Sequence, residues 1–358
     1  MSLPDEGAAP APVRQPRWRR LRPSDLYIPL GIVLLIVLVL ELIPANEYLL
    51  LPGQALPVEP MIHVKGSPPL HTRGRLFMVD VSLYKVNHLL EKLYGEFNPD
   101  AELYPAQDVA GNLSETQYLQ YNAQLMDDSE QGATAAALSA VRGYRPRYST
   151  AGPQILFVVP GTPAAAKLQP GDIITAIDGH RVHVKGQVPQ LIRRLRPGQF
   201  IRMTIRRHKQ LLHFSIRTIP STNGVPAKHG KVAFVGIEVH DRLVFPVKVA
   251  INAGSIGGPS AGLMFTLGIV QRLERHDITR GCAIAGTGTI DYLGNVGAIG
   301  GARQKAIAAQ HAGAKYFFVP TDRADVTGAM RGRGDMKVIP VATLRQALRY
   351  LNQLRPCK

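Results

Sequence analysis

Two residues have the type and setting to do chemistry, a serine and a lysine 45 positions apart. Ser260 lies in the turn Gly257-Gly258-Pro259-Ser260-Ala261-Gly262, and an almost continuously apolar stretch, Leu263–Leu273, follows it. A tight turn opening a buried helix presents unpaired backbone N–H groups and the positive end of the helix dipole, and both stabilise an oxyanion. The same placement suits a serine that merely caps the helix, so position alone leaves both roles open. Lys305 follows Gly300-Gly301 in the first turns of a predicted helix, Ala302–Gly313, amid alanine and isoleucine. Burial and a helix N-terminus both disfavour an ammonium, and a lysine neutral near about pH 7–8 can take a proton from a serine hydroxyl. The bland alternative is a solvated lysine on a helix surface.

Competing chemistries lack their residues. No His-Glu-x-x-His or Cys-x-x-Cys string occurs, so a zinc peptidase or thioredoxin-type site is not supported and no metal or cofactor is expected. No Gly-x-Ser-x-Gly elbow surrounds Ser260, and the histidines are scattered. A phosphate-cradling Walker A string is missing too: Gly230-Lys231 is followed by Val232 and lacks a glycine five positions earlier.

The elements around the pair read as alternating strands and helices. Val232–Val239 and Phe245–Asn252 are predicted strands, the first a candidate edge for an extended substrate; Cys282–Asp291, Leu293–Gly301 and Lys315–Pro320 supply a strand, turns and a strand. Upstream, Leu76–Leu83 is a predicted strand. Glu115–Val141 is a helix-forming stretch with Ser114/Gln117 as a capping box and a break near Gly132.

The 358 residues suggest two or three structural units, and 45% hydrophobic with 19% charged residues excludes wholesale disorder. A formal charge of +16 favours anionic partners without choosing among them. Cys282, in an apolar run, is expected as a buried small hydrophobe and Cys357 as a free residue near the terminus, with a disulfide between the two as the alternative. Leu26–Ile43 is apolar but for Glu41 and follows five arginines between Arg14 and Arg22. At roughly 27 Å it matches the hydrocarbon thickness of a bilayer, which predicts a retained anchor with a cytoplasmic N-terminus. A cleaved signal peptide is the alternative, and Ile43-Pro44-Ala45 is a poor cleavage site for it.

Residues 149–220 show strand, turn, short helix and hairpin. Pro160-Gly161-Thr162-Pro163-Ala164-Ala165, Gly171-Asp172-Ile173-Ile174 and Asp178-Gly179 resemble a bacterial PDZ domain. That resemblance implies a peptide groove along Ile155, Leu156, Phe157 and Val158, faced by a helix at Val188–Leu195. Seven basic residues, Arg193, Arg194, Arg196, Arg202, Arg206, Arg207 and Lys209, fall in this unit, as a solvated face or as a contact for anionic lipid.

From Gly257 to Pro320 the order GGPSAG, GTGTI, G-x-V-G-x-I-G-G-x-x-x-K-x-x-A-A, A-G-A-K and a strand ending in proline resembles the proteolytic domain of Lon-type serine proteases. The resemblance implies Ser260 as nucleophile, Lys305 as general base and Thr287 as the threonine that orients the lysine. It also implies an oxyanion site of backbone N–H groups near Gly258, Pro259 and Ser260. The whole chain resembles membrane-anchored bacterial PDZ–Lon-like proteases. The expected fold class is α+β, with a single N-terminal transmembrane helix, a PDZ-like β-rich domain and a Lon-type α/β proteolytic domain. The expected divisions are a basic tail (1–25), an anchor (26–43), an extended juxtamembrane segment with short strands (44–75), a strand-plus-helix region that is part of the protease domain or packed on it (76–148), the PDZ domain (149–220) and the proteolytic domain (221–358). The implied activity is ATP-independent serine endopeptidase action on exposed or unfolded exported polypeptides, with the catalytic part outside the cell membrane, a homo-oligomeric ring by resemblance, and no nucleic-acid partner. A catalytically silent membrane-anchored PDZ scaffold is the alternative. A nucleic-acid or polymer binder is a third reading, and it lacks any nucleic-acid-reading motif.

Overall fold

The computed structural model describes residues 23–357 apart from 69, 71, 112, 146, 222–231 and 255. The predicted basic tail, 1–25, falls largely outside the described residues. Pro23–Leu42 is a 20-residue helix, and Leu30, Leu34, Leu38 and Leu42 along it are each more than half exposed. Among the described residues no helix is long and apolar enough to cross a membrane; the side chains of residues 23–26 and 28 are not among those described.

A mixed sheet of six strands organises the catalytic half in the order Lys337–Val341, Tyr316–Pro320, Ala283–Gly286, Arg75–His88, Pro44–Pro57, Glu102–Pro105. The first four are parallel neighbours and the last two join antiparallel. Alternation along Arg75–His88 sends Leu76 and Met78 to one face and Phe77 and Val79 to the other, so both faces are buried. Helices Gly262–Glu274, Glu115–Arg142 and Leu344–Gln353 cover the first face, and Ala302–His311 and Arg323–Gly332 the second.

The segment 44–75, expected to be extended with short strands, holds one long strand and one short one, Pro44–Pro57 and Ile62–Val64. Pro44 and Pro57 stand at the ends of a fourteen-residue strand, and Pro52 stands at a register shift, places where a missing N–H costs no ladder bond. The long helix Glu115–Arg142 keeps its Ser114/Gln117 capping box but runs unbroken through Gly132. A Cβ there would lie 2.7 Å from the Ile290 carbonyl oxygen, so the glycine permits close packing and does not break the helix.

The second sheet has six strands, five in the order Gln210–Arg217, Phe200–Arg207, Ile173–Ile177, Gln154–Val158, Ile237–His240, and His180–Arg181 paired to the third. Its core includes Ile155, Ile174, Ile201, Met203, Ala233 and Val235. The unit therefore extends past residue 220: within the segment Val232–Val239, expected as a substrate edge of the catalytic half, Ala233–Phe234 pairs with Ile219–Pro220 and the residues from Ile237 onward form the last strand of this sheet. The chain enters and leaves the unit through a two-stranded neck, Arg147–Tyr148 against Leu243–Val244, extended by a 2.7 Å bond from Ser149 N–H to the Arg242 carbonyl.

Cys282 and Cys357 form a disulfide, against the expectation of a free terminal cysteine. It fastens the chain end after helix Leu344–Gln353 to the start of the central strand Ala283–Gly286.

Candidate active site

Ser260 and Lys305 come from opposite faces of the central sheet. Strand Ala283–Gly286 pairs with Arg75–Met78 and then turns away at Thr287, leaving that side of the neighbouring strand uncovered from Val79 onward. Through this gap the Lys305 side chain reaches the serine. Lys305 Nζ donates to Ser260 Oγ at 2.8 Å, and the lysine is only 3% exposed. Burial pushes its pKa down to about 8; the carboxylates of Asp325 and then Asp80 pull it back up. Asp325 is itself buried and accepts the Ile299 N–H at 3.0 Å; burial first of all raises its carboxyl pKa.

The serine turn is fixed by its backbone. Gly258 has φ 90° and ψ 155°, a conformation open to glycine alone, and Pro259 then starts a short 3-10 turn. The Ser260 carbonyl accepts from Gly288 N–H at 2.8 Å and from Thr287 Oγ1 at 3.1 Å. The Thr287 hydroxyl thus goes to the serine backbone and not to the lysine amine that resemblance assigned it. The helix itself begins after Ala261 with no side-chain cap, so the capping role left open for Ser260 is not taken. Gly258 N–H donates to the Asn122 carbonyl at 2.8 Å, and Pro259 has no N–H. Neither residue can therefore donate to an oxyanion; their part is to shape the turn.

Ser260, Lys305 and Asp80 line a cleft of about 260 Å³ with Met78, Met126 and Ile256. Sequence reasoning missed Asp80, Asp325, Asn122 and Ser129. Ser129 Oγ donates to the Pro259 carbonyl at 2.9 Å. These four come from distant segments with no motif to flag them; the one local hint is a buried serine within the acidic run Asp127–Glu130.

Ile155–Val158 is not an open groove. Ile155, Leu156 and Phe157 are buried, and the strand is paired along its length by Ile237–His240. The free edge of this sheet is the added strand. A second cleft of about 260 Å³ lies between Ala233–Val239 and Val188, Pro189, Ile192 and Arg193 of the facing helix. In the basic group, Arg207 is committed within the fold, donating from Nε and Nη2 to Asp172 at 2.7 Å each.

Comparison with known families divides the chain earlier than the sheets do, between residues 218 and 227, whereas Ile237–His240 pairs into the second sheet. Residues 140–218 match the PDZ domain family and residues 227–353 the Lon protease (S16) C-terminal proteolytic domain. The Lon protease of Metamycoplasma arthritidis is 32% identical over 122 residues, 32% of this chain and 14% of that protein. That of Ureaplasma parvum is 35% identical over 94 residues, 26% and 11% respectively. The mitochondrial Lon protease homolog of Yarrowia lipolytica is 40% identical over 74 residues, 20% and 6%. The PDZ domain of an SdrC-like protein from Listeria monocytogenes aligns with 26% of this chain and 92% of its own, at 19% identity and a TM-score of 0.23. The chain spans less than a fifth of the length of the curated relatives it matches. The chain thus carries one region similar to the PDZ domain family and one similar to the Lon C-terminal proteolytic domain family.

Proposed function

We propose that the chain is a membrane-anchored, ATP-independent serine endopeptidase that cleaves exposed or unfolded exported polypeptides. The observation that carries this reading is the 2.8 Å bond between a serine on a glycine-built turn and a lysine whose burial lowers its pKa to about 8. Neutral Lys305 takes the Ser260 proton as Oγ attacks the peptide carbonyl. The oxyanion meets backbone N–H groups at the opening of the serine helix, those of Ser260 and Ala261, since the next two N–H groups are bonded to the Pro259 and Gly288 carbonyls. Lys305 then passes its proton to the leaving amine, and water, deprotonated by the same lysine, releases the acyl group. Thr287 positions the serine by holding its carbonyl. The uncovered edge of Arg75–His88 beyond Met78 lies beside the serine, and an extended substrate fits it as an added strand.

Further observations support the rest of the reading. The 358 residues contain no Walker A string, which favours ATP-independent cleavage. The apolar run Leu26–Ile43 behind its arginines, with exposed leucines along the helix, suits a bilayer, and a disulfide suits an oxidising compartment outside it. The cleft between Ala233–Val239 and helix Gln187–Ile192 is the place for a peptide on the PDZ domain.

The test is hydrolysis of an unfolded polypeptide without ATP by wild type, Ser260→Ala and Lys305→Ala. Loss in both folded variants is expected; equal cleavage by all three refutes the pair. A folded, ligand-binding but inert wild type favours the scaffold alternative.

A further inference from the structure

The long helix Glu115–Arg142 touches both clefts, and it does so with two separate stripes. Tyr121 and Asp128 are seven residues apart, two turns on one side; Asn122 and Ser129 form a second stripe about 100° around. The first stripe holds the PDZ domain. The Tyr121 ring lies 4.9 Å from the Phe157 ring, burial and then the Glu238 carboxylate raise the Tyr121 pKa, and Asp128 Oδ1 pairs at 2.9 Å with Nδ1 of the buried His240. The second stripe holds the serine turn, through the Asn122 carbonyl to Gly258 N–H at 2.8 Å and Ser129 Oγ to the Pro259 carbonyl at 2.9 Å.

Glu238 and Val239 also line the PDZ cleft, so one short strand is both a wall of that cleft and the partner of the helix. An extended peptide seated in the cleft bears on Ile237–His240. Any change in how this strand sits is passed to Tyr121 and Asp128, and one residue further along the same rigid helix to the two groups that fix Gly258 and Pro259. Helices shift as units because their backbone bonds are internal, so a displacement at one stripe reaches the other.

We propose that this helix couples the two clefts: a peptide in the PDZ cleft resets the serine turn through the Tyr121/Asp128 and Asn122/Ser129 stripes, with Ser129 as a positioning residue for the nucleophile. The proposal rests on Ser260 being the nucleophile. It implies reciprocity, since a ligand that orders the serine turn must stabilise the docked strand by the same factor.

The experiment follows backbone hydrogen exchange in the full-length chain with and without a peptide boronate, a class that bonds reversibly to an activated serine. Saturation with boronate should slow exchange at Ile237–His240 about five-fold or more in wild type. In Tyr121→Phe/Asp128→Asn the slowing should fall within about two-fold, while hydrolysis without PDZ ligand stays at the wild-type level. Ser129→Ala should lower kcat with KM unchanged. Equal slowing in wild type and double variant, or none in wild type with boronate bound, overturns the coupling. Boronate occupancy is read separately, by loss of hydrolysis that depends on Ser260, so failure of the coupling and failure of the catalytic reading give different records.

Discussion

Replacing Asp325 by asparagine should make the enzyme work at lower pH. A lysine at its ordinary value of 10.5 is neutral in about one molecule in three thousand at pH 7, whereas at about 8 it is neutral in about one in ten, some 300-fold more. Desolvation does this, and Asp325 opposes it more than Asp80 does. The asparagine amide keeps an acceptor for the Ile299 N–H and removes the charge. Lys305 should then fall further, by on the order of one pH unit. The assay is kcat/KM for an internally quenched peptide across the pH range. Because the neutral lysine is the active form, the wild-type profile should rise with pH to a plateau with its midpoint near 8. The variant should reach the same plateau from a lower midpoint and run several-fold faster at pH 7. A midpoint that stays put or moves upward would refute the electrostatic account of the site, and a wild-type midpoint near 10 would refute the buried base.

Three further outcomes are expected. Lys305 has a folded pKa near 8 and an unfolded one near 10.5, so between these values the unfolded chain binds the extra proton and stability rises with pH; below about pH 8 the full cost, about 3 kcal/mol, is present. Lys305→Met should therefore abolish hydrolysis while raising Tm at pH 7, with the gain shrinking toward pH 10.5. Cys357→Ser opens a clip across 75 positions and should cost about 4 kcal/mol by denaturant unfolding, with reductant reproducing the loss only in wild type. Gly132→Ala brings a methyl against the Ile290 carbonyl and should cost about 1–3 kcal/mol, read as a lower denaturation midpoint.

Local patterns in the sequence carry the parts of the site that are themselves local. The glycine–proline turn before Ser260, the small-residue helix around Lys305 and the hairpin Phe200–Arg217 follow from spacing, because each is built by neighbours in the chain. Non-local pairings leave no such mark. Pro44–Pro57 reads as extended with short strands until Arg75–His88 is laid beside its full length, and Val232–Val239 reads as a strand of the catalytic half until Gln154–Val158 claims part of it. Family position assigns the Thr287 hydroxyl to the lysine, but the chain's turn at Gly286 aims it at the serine carbonyl. Cys282 and Cys357 meet only because the last helix returns to the strand Ala283–Gly286, a closure invisible to composition.

The two-stranded neck at Arg147–Tyr148 and Leu243–Val244 makes the intervening unit behave as an ornamented hairpin loop. At the neck the catalytic half sees two chain ends held about 5 Å apart, the spacing of any antiparallel pair, and it meets the unit again through Tyr121 and Asp128. A socket of this kind is a natural site for recombination. A foreign module whose own termini lie side by side can be spliced at the neck, and the resulting chimera would inherit the peptidase chemistry while losing the instruction delivered by His240 and Glu238. New specificity can then arise by exchanging one cassette, with no residue of the nucleophile turn having to change.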